Sequence, residues 1–194
     1  VGFNRRYSPF IIKTKDYILN KRDPLFINYR INAGYLRSDH WTQRPNEGGG
    51  RVIGEVCHFI DLCNYLVNSD IVVVNSVNIP SDVKKEISDD NYSIQIQYAN
   101  GSIASINYIC NGSKEVEKEL LEISSGKSTI IINNFREMNI YDLESKRVKI
   151  DKVDKGHENQ IVEIAKALKN KNNLIPDTTL DLISSEMAIK IAGR

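Results

Sequence analysis

The sequence lacks charge of one sign. Its 26 Lys and Arg face 25 Asp and Glu, for a net charge of +1. A general DNA or RNA binder carries a basic footprint, so no nucleic-acid partner is expected. Long apolar runs are missing as well. Nothing approaches the roughly 18 residues needed to cross a bilayer, and no basic start followed by an apolar stretch marks a signal peptide. No membrane partner is expected. Cysteine is scarce: Cys57, Cys63 and Cys110 form no Cys-x-x-Cys pair. Their odd number argues against a disulfide framework and for a reducing, cytoplasmic compartment. No Gly-x-Gly-x-x-Gly occurs, so these residues offer no dinucleotide-binding turn of the usual kind. Gly126-Lys127-Ser128 imitates the end of a phosphate loop, but the position that needs glycine is Leu121. Gly-x-Ser-x-Gly and His-Glu-x-x-His are absent too.

What is present fits one folded domain. Hydrophobic residues make up 41% and charged residues 26%, which is wrong for disorder. The tripeptides Asn91-Tyr92-Ser93 and Asn111-Gly112-Ser113 match a glycosylation pattern that an Asn-rich chain produces by chance. Val1-Gly2-Phe3-Asn4 reads as a short strand, and a start on Val1 leads us to expect a piece of a longer protein. Ser8 and Pro9 suit the cap and first position of a helix that ends at Arg22-Asp23-Pro24. Leu25 to Ala33 alternates as a strand, with Leu25, Ile27, Tyr29, Ile31 and Ala33 on one face. A loop from Gly34 to Gly50 carries the single Trp, Trp41, and a helix is predicted over 51–67.

Strand signals then dominate, over 71–79, 92–98, 102–110, 117–123, 128–132, 137–143 and 147–153. Asn100-Gly101, Ser125-Gly126 and Glu144-Ser145-Lys146 suit hairpins, whose strands must be antiparallel. Helices are predicted over 158–168 and, after Pro176-Asp177, over 179–191. The sum is an α+β domain: a large, open, mostly antiparallel β-sheet with helices packed on one face. Its other face would be covered by a partner, most economically a second copy.

The segment from Gly48 to Leu62 carries the chemistry. At 100° per residue, Ile53, Val56, Ile60, Cys63 and Val67 form a core stripe. Glu55, His58 and Asp61 fall on the opposite side, flanked by Phe59, Leu62 and Leu66. A helix apolar nearly all round is buried, so this polar stripe reads as lining a cleft or an interface. Gly48-Gly49-Gly50 permits close approach of a backbone or a ligand. The first-turn N–H groups and Arg51 suit an anion. The His58 imidazole can take a proton near neutral pH, and Glu55 can orient it. Alternatives stay open: a structural His–Glu pair, or a metal site, since Glu-x-x-His is also a ligand spacing. Asp61 suits a cap or an ion pair. Trp41 suits a sugar stack or a core. His40 reads as solvated, and His157 as a helix-start residue.

These pieces together resemble the C-terminal domain of the Gfo/Idh/MocA oxidoreductase family, a dihydrodipicolinate-reductase-like domain. The resemblance rests on Gly48-Gly49-Gly50 followed by Glu55, His58 and Asp61. It is supported by Val1-Gly2-Phe3-Asn4-Arg5-Arg6, Tyr29-Arg30-Ile31-Asn32-Ala33-Gly34, Asp39-His40-Trp41 and Lys155-Gly156-His157, and spans nearly the whole chain. It implies an N-terminal Rossmann domain, outside this chain, that binds NAD or NADP and carries a catalytic lysine in a Glu-Lys-Pro segment. Residues 1–6 would then be the strand leaving that domain. It implies a substrate pocket in the present domain, homo-oligomerisation through the open sheet, and a sugar or sugar-nucleotide substrate of the kind used in polysaccharide biosynthesis. His58 matches the family histidine near the substrate carbinol. The chain departs from the family at Gly54, where many members carry Asp; Glu55 points about 100° away on a regular helix. The expectation is a dehydrogenase domain with His58 and Glu55 catalytic and Arg30, Asn32, Trp41 and Arg51 shaping the pocket. The chain alone would be inactive. The alternative is a sugar-binding or dimerisation module without turnover.

Overall fold

The computed structural model describes residues 2–19, 23–37, 39–44, 46–80, 90–169 and 178–193. A 3₁₀ turn, Asn4–Tyr7, leads into α1 (Pro9–Leu19), then β1 (Phe26–Asn32). After a loop with a second 3₁₀ turn (Trp41–Gln43) comes a π-helical turn, Val52–Val56, continuous with α2 (Cys57–Val67). Seven strands follow: β2 (Ile71–Asn78), β3 (Tyr92–Tyr98), β4 (Ile103–Ile109), β5 (Glu119–Ser125), β6 (Ser128–Asn133), β7 (Glu137–Tyr141) and β8 (Lys146–Lys149). Helices α3 (His157–Lys169) and α4 (Thr178–Ile191) complete the order.

The strands form one sheet in the order β2-β3-β4-β1-β5-β6-β7-β8. Every neighbouring pair is antiparallel except β1 and β4. Successive strands from β5 to β8 are sequence neighbours joined by tight turns, which forces the alternation of direction. β1 is inserted between β4 and β5, so its inward residues Ile27, Tyr29 and Ile31 are flanked on both sides and wholly buried. The α+β expectation and the strand alternation hold.

Alternation puts an apolar layer on one face of the sheet, and α2 lies on it. Phe59 meets Tyr29 edge-on at 5.2 Å between ring centres and Tyr108 at 6.0 Å. Asn64 accepts from the Tyr98 hydroxyl at 2.8 Å and donates to Ser184 Oγ at 3.0 Å. One buried amide thus ties the sheet, α2 and α4 together and satisfies its own polar atoms. Asn68, in the left-handed conformation, ends α2 by donating its N–H to the Asn64 carbonyl.

Several expectations are corrected. The opening strand is a 3₁₀ turn over 4–7, with Val1 outside the described residues. Ser8 does accept the first α1 bond on its carbonyl, but its hydroxyl donates to the Asp154 carbonyl at 2.8 Å instead of capping. The ends assigned to Arg22 and to Pro176-Asp177 fall outside the described residues. The helix over 51–67 begins as π, where Cys57 N–H reaches back to the Val52 carbonyl. That i→i+5 bonding shifts the angular phase, so Val52 is buried and Ile53 only partly. Finally, α3 buries no residue at all. It does not pack on the sheet; its first turn rests on the opening 3₁₀ turn, with Asn159 Nδ2 donating to the Tyr7 carbonyl at 3.0 Å.

Candidate functional site

The site is built at the head of the π turn. Gly48 is required there by crowding: a Cβ would sit 2.3 Å from Thr42 Cα. The Gly48 and Gly50 N–H groups donate to the carbonyls of Trp41 (3.2 Å) and Thr42 (2.8 Å). The glycines therefore serve the approach of this chain's own backbone. His40 also belongs to this loop, with Nδ1 2.8 Å from Thr42 Oγ1.

Arg51 is 2% exposed. Its Nη1 donates to the Gly34 carbonyl at 2.6 Å and to Cys110 Sγ at 3.1 Å, and Nη2 reaches both Glu55 oxygens at 3.2 Å. Its Nε is buried without a partner. The expectation of a free anion-binding guanidinium is corrected: Arg51 is a clamp that joins the end of β1, the end of β4 and Glu55. A cavity of about 240 Å³ lies beside it, lined by Gln43, Gly49, Gly50, Asp90 and Tyr92.

Glu55 accepts from the Tyr108 hydroxyl at 2.6 Å, and Lys118 Nζ stands 4.0 Å away. Burial alone would raise its pKa, but the Tyr108 bond and the charges of Arg51 and Lys118 prevail and lower it. No hydrogen bond joins Glu55 to His58 among the described residues, so the expectation that Glu55 orients the ring is corrected. It acts on the imidazole only through its charge, favouring the protonated form.

His58 is partly exposed and lies edge-on to Phe3 at 5.5 Å between ring centres. Its Nδ1 is buried and unpartnered. Burial, helped by Arg5, pulls its pKa down to about 4 against the opposing charges of Glu119 and Glu55. The ring is therefore a weaker base than the ordinary imidazole expected from the sequence, and the expectation that it holds a proton near neutral pH is corrected. Asp61, expected on the same stripe, instead lies fully buried in a two-pronged pair with Arg6. Arg6 also reaches Asp181 at 2.8 Å, which pins α2 and α4 to the opening turn. The stripe thus divides among three environments.

Of the remaining expected residues, Arg30 donates to the Glu117 carbonyl at 2.7 Å. Asn32 Nδ2 donates to the carbonyls of Ser113 (2.6 Å) and Val116 (3.1 Å), and its Oδ1 is buried without a partner. Both side chains hold the loop between β4 and β5, which delivers Lys118. Trp41 stands apart, 55% exposed, with its ring 5.9 Å from His40.

The pattern did not reveal a second carboxylate. Glu119 is 1% exposed and accepts from Arg5 Nε (2.9 Å) and Nη2 (2.8 Å), from Lys155 Nζ (2.6 Å) and from the Tyr29 hydroxyl. These donors overcome burial and hold its pKa near 2. The signal was available, since Glu119 shares the inward alternation of Leu121 and Ile123. Among the described residues no three His, Cys, Asp or Glu gather as metal ligands, and no helix is long and apolar enough to cross a membrane. All three cysteines are free and buried.

Among the described residues the one parallel pair, β1 and β4, is linked through α2, β2 and β3 and not by a single crossover helix behind a glycine-rich turn.

Comparison with known proteins identifies the domain. The model of an oxidoreductase family's C-terminal alpha/beta domain matches residues 23–187. No curated protein matches. UDP-N-acetylglucosamine 3-dehydrogenase GnnA from Acidithiobacillus ferrooxidans superposes with a TM-score of 0.76 at 16% identity, over 99% of this chain and 59% of that one. Levoglucosan dehydrogenase, in complex with NADH, superposes at 0.76 with 19% identity over 100% and 62%. An oxidoreductase domain protein from Kribbella flavida superposes at 0.75 with 14% identity over 100% and 63%. The chain thus spans about three fifths of the length of these structures.

Proposed function

The chain belongs to the Gfo/Idh/MocA oxidoreductase family through its C-terminal α/β domain, and on that premise we propose that it is the substrate-binding domain of an NAD(P)-dependent dehydrogenase. The substrate class is a sugar or sugar nucleotide, in keeping with the sugar dehydrogenases among its structural relatives. The cofactor is held by a preceding Rossmann domain and supplies the hydride acceptor.

One observation carries the reading: the His58 imidazole is partly exposed, edge-on to Phe3, with a buried Nδ1 that has no partner. As a carbinol C–H leaves as hydride, the hydroxyl proton passes to His58. A base this weak relays the proton onward instead of storing it. Glu55 and Glu119 flank the ring electrostatically and favour its protonated form. Arg51 holds Glu55, while Arg30 and Asn32 fix the loop beside it. Trp41 is a half-exposed ring suited to stacking on a sugar.

The test is His58→Ala in the full-length protein, with nicotinamide absorbance followed over a panel of sugars and sugar nucleotides. The expected loss is about 10²–10⁴-fold in turnover; unchanged turnover removes the catalytic role. Homo-oligomerisation through the outer face of the sheet belongs to the same reading. Phe26 and Ile103 are direct neighbours there and are 49% and 37% exposed. Phe26→Glu is expected to lower the mass measured by light scattering. The buried free thiols accord with a cytoplasmic setting.

A second reading, a sugar-binding or dimerisation module without turnover, is favoured by Gly54. A Cβ there would meet Gly48 O at 3.5 Å and Thr42 Cγ2 at 4.0 Å, which is ordinary contact. The position accommodates a Cβ, so the Asp that the resemblance leads one to expect there is not excluded at its first side-chain atom. Turnover absent in the native protein and gained in Gly54→Asp would favour the module.

A further inference from the structure

The two edges of the sheet are built differently. β8 is four residues long and carries Lys146, Arg147 and Lys149, the short, charged kind of edge that discourages pairing. β2 is eight residues long, Ile71-Val72-Val73-Val74-Asn75-Ser76-Val77-Asn78, with neither a charge nor a proline. Its one irregularity, between Ile71 and Val73, lies at the start, and the ladder is regular from Val73 onward. Val73 and Val77 are 39% and 71% exposed.

The backbone pattern identifies the groups left over. The Ile79 N–H donates to the Asn91 carbonyl at 3.1 Å. β2 and β3 pair antiparallel in the same register, with Val77 opposite Ser93 and Asn75 opposite Gln95. Antiparallel bonding alternates along a strand, so Asn75, Val77 and Ile79 turn their N–H and C=O groups towards β3. Val74, Ser76 and Asn78 turn theirs away from it. Among the described residues no strand lies beyond β2.

A row of main-chain donors and acceptors is completed by another strand, and the side chains select which. Place two copies of β2 about a two-fold axis at Asn75. Val74 then faces Ser76 twice, and these pairs exchange main-chain bonds. Val73 meets Val77 twice on the outer face, and Asn75 meets its own counterpart in the non-bonded position between. No like charges meet, because this strand carries none. On the helix side α4 borders the same edge across a groove of about 390 Å³ lined by Ile71, Val74, Ile183 and Met187.

We infer that β2 is a self-association edge, at which a second copy of this chain adds its own β2 antiparallel about Asn75 and joins the two sheets into one. This contact is three strands away from β1 and is separate from the outer face around Phe26. It does not rest on the proposed activity.

The test uses the full-length protein. Facing Cα atoms of a non-bonded pair lie about 4.5 Å apart, within reach of a disulfide. Asn75→Cys oxidised with diamide is therefore expected to run as a covalent dimer on a non-reducing gel. Val73→Cys should stay monomeric, since that position faces Val77 and not itself. Ser76→Pro removes an N–H that points away from β3 and spares the β3 ladder. Added to Asn75→Cys, it should lower the dimer yield at least tenfold, whereas Phe26→Glu should leave the yield unchanged. An Asn75→Cys protein that stays monomeric overturns the inference. So does equal cross-linking by Val73→Cys, or a cross-link that Phe26→Glu abolishes. If the variants fail to fold, hydrogen exchange in the native protein decides. Amides of Val74, Ser76 and Asn78 that exchange at least tenfold faster after dilution to the monomer support the pairing. Equal rates, or a protein monomeric at every concentration, overturn it. None of these readouts depends on turnover: an inactive protein that cross-links at position 75 would sink the dehydrogenase and leave the edge contact standing.

Discussion

Two carboxylates in this domain are served by the same three kinds of partner. Glu119 has Arg5, Tyr29 and Lys155; Glu55 has Arg51, Tyr108 and Lys118. The two clusters differ in closure. The Glu119 side chain is 1% exposed with its lysine at 2.6 Å, whereas that of Glu55 is 25% exposed with its lysine at 4.0 Å. Closure turns the first set into a strut between the opening turn and β5. Openness leaves the second with part of its side chain exposed to solvent. His58 feels both charges. The lesson is that residue type does not separate a sealed acid from an open one here. Desolvation does.

The comparison can be broken from its closed end. Glu119→Ala leaves Arg5 buried without its counter-charge and is expected to cost about 3–5 kcal/mol in denaturant unfolding; a loss below 1 kcal/mol would end the distinction. Acid titration sharpens it. Glu119 has its pKa held near 2 in the folded state, so its stabilisation is present above the ordinary carboxylate range. It is lost as pH falls from about 4.5 towards 2, by about 3 kcal/mol. The folded-state pKa of His58 is lowered to about 4. The unfolded chain then binds the extra proton between about 6.5 and 4, and stability falls with pH there too. His58→Gln should flatten the upper window alone.

At the open end, Glu55→Gln should cost only about 1–2 kcal/mol. It should move the acid limb of activity to lower pH, since the Glu55 charge now favours protonated His58. A shift to higher pH would contradict this electrostatic role. The smallest effect is expected at Lys118, 43% exposed. Lys118→Ala should change stability by less than about 0.5 kcal/mol, and Lys155→Ala by more, in the same unfolding assay.

The strands were legible because their signal is local. The alternation of β1, and the turns at Asn100-Gly101 and Ser125-Gly126, depend on neighbours a few residues apart. The position of His58 on an apolar helix was legible for the same reason. The angular placement of Glu55 was not, because the π turn changes the phase that a regular helix would impose. Arg51 suggested an anion site while its partners at Gly34, Cys110 and Glu55 were unknown. Glu119 was visible as an acid at an inward strand position, but nothing nearby announced Arg5, 114 residues away in sequence.

By itself the sequence determined the sheet, its hairpins, the glycine-led helix and the presence of His58 on it, since periodicity and turn chemistry act within a few residues. Only the tertiary structure decided which carboxylate is sealed and which stays open, why Arg51 is a clamp, and that α3 buries no residue. Those outcomes depend on pairings across 50 to more than 100 residues of chain, at Tyr108–Glu55 and Arg5–Glu119, where burial and charge are set by what folds against them.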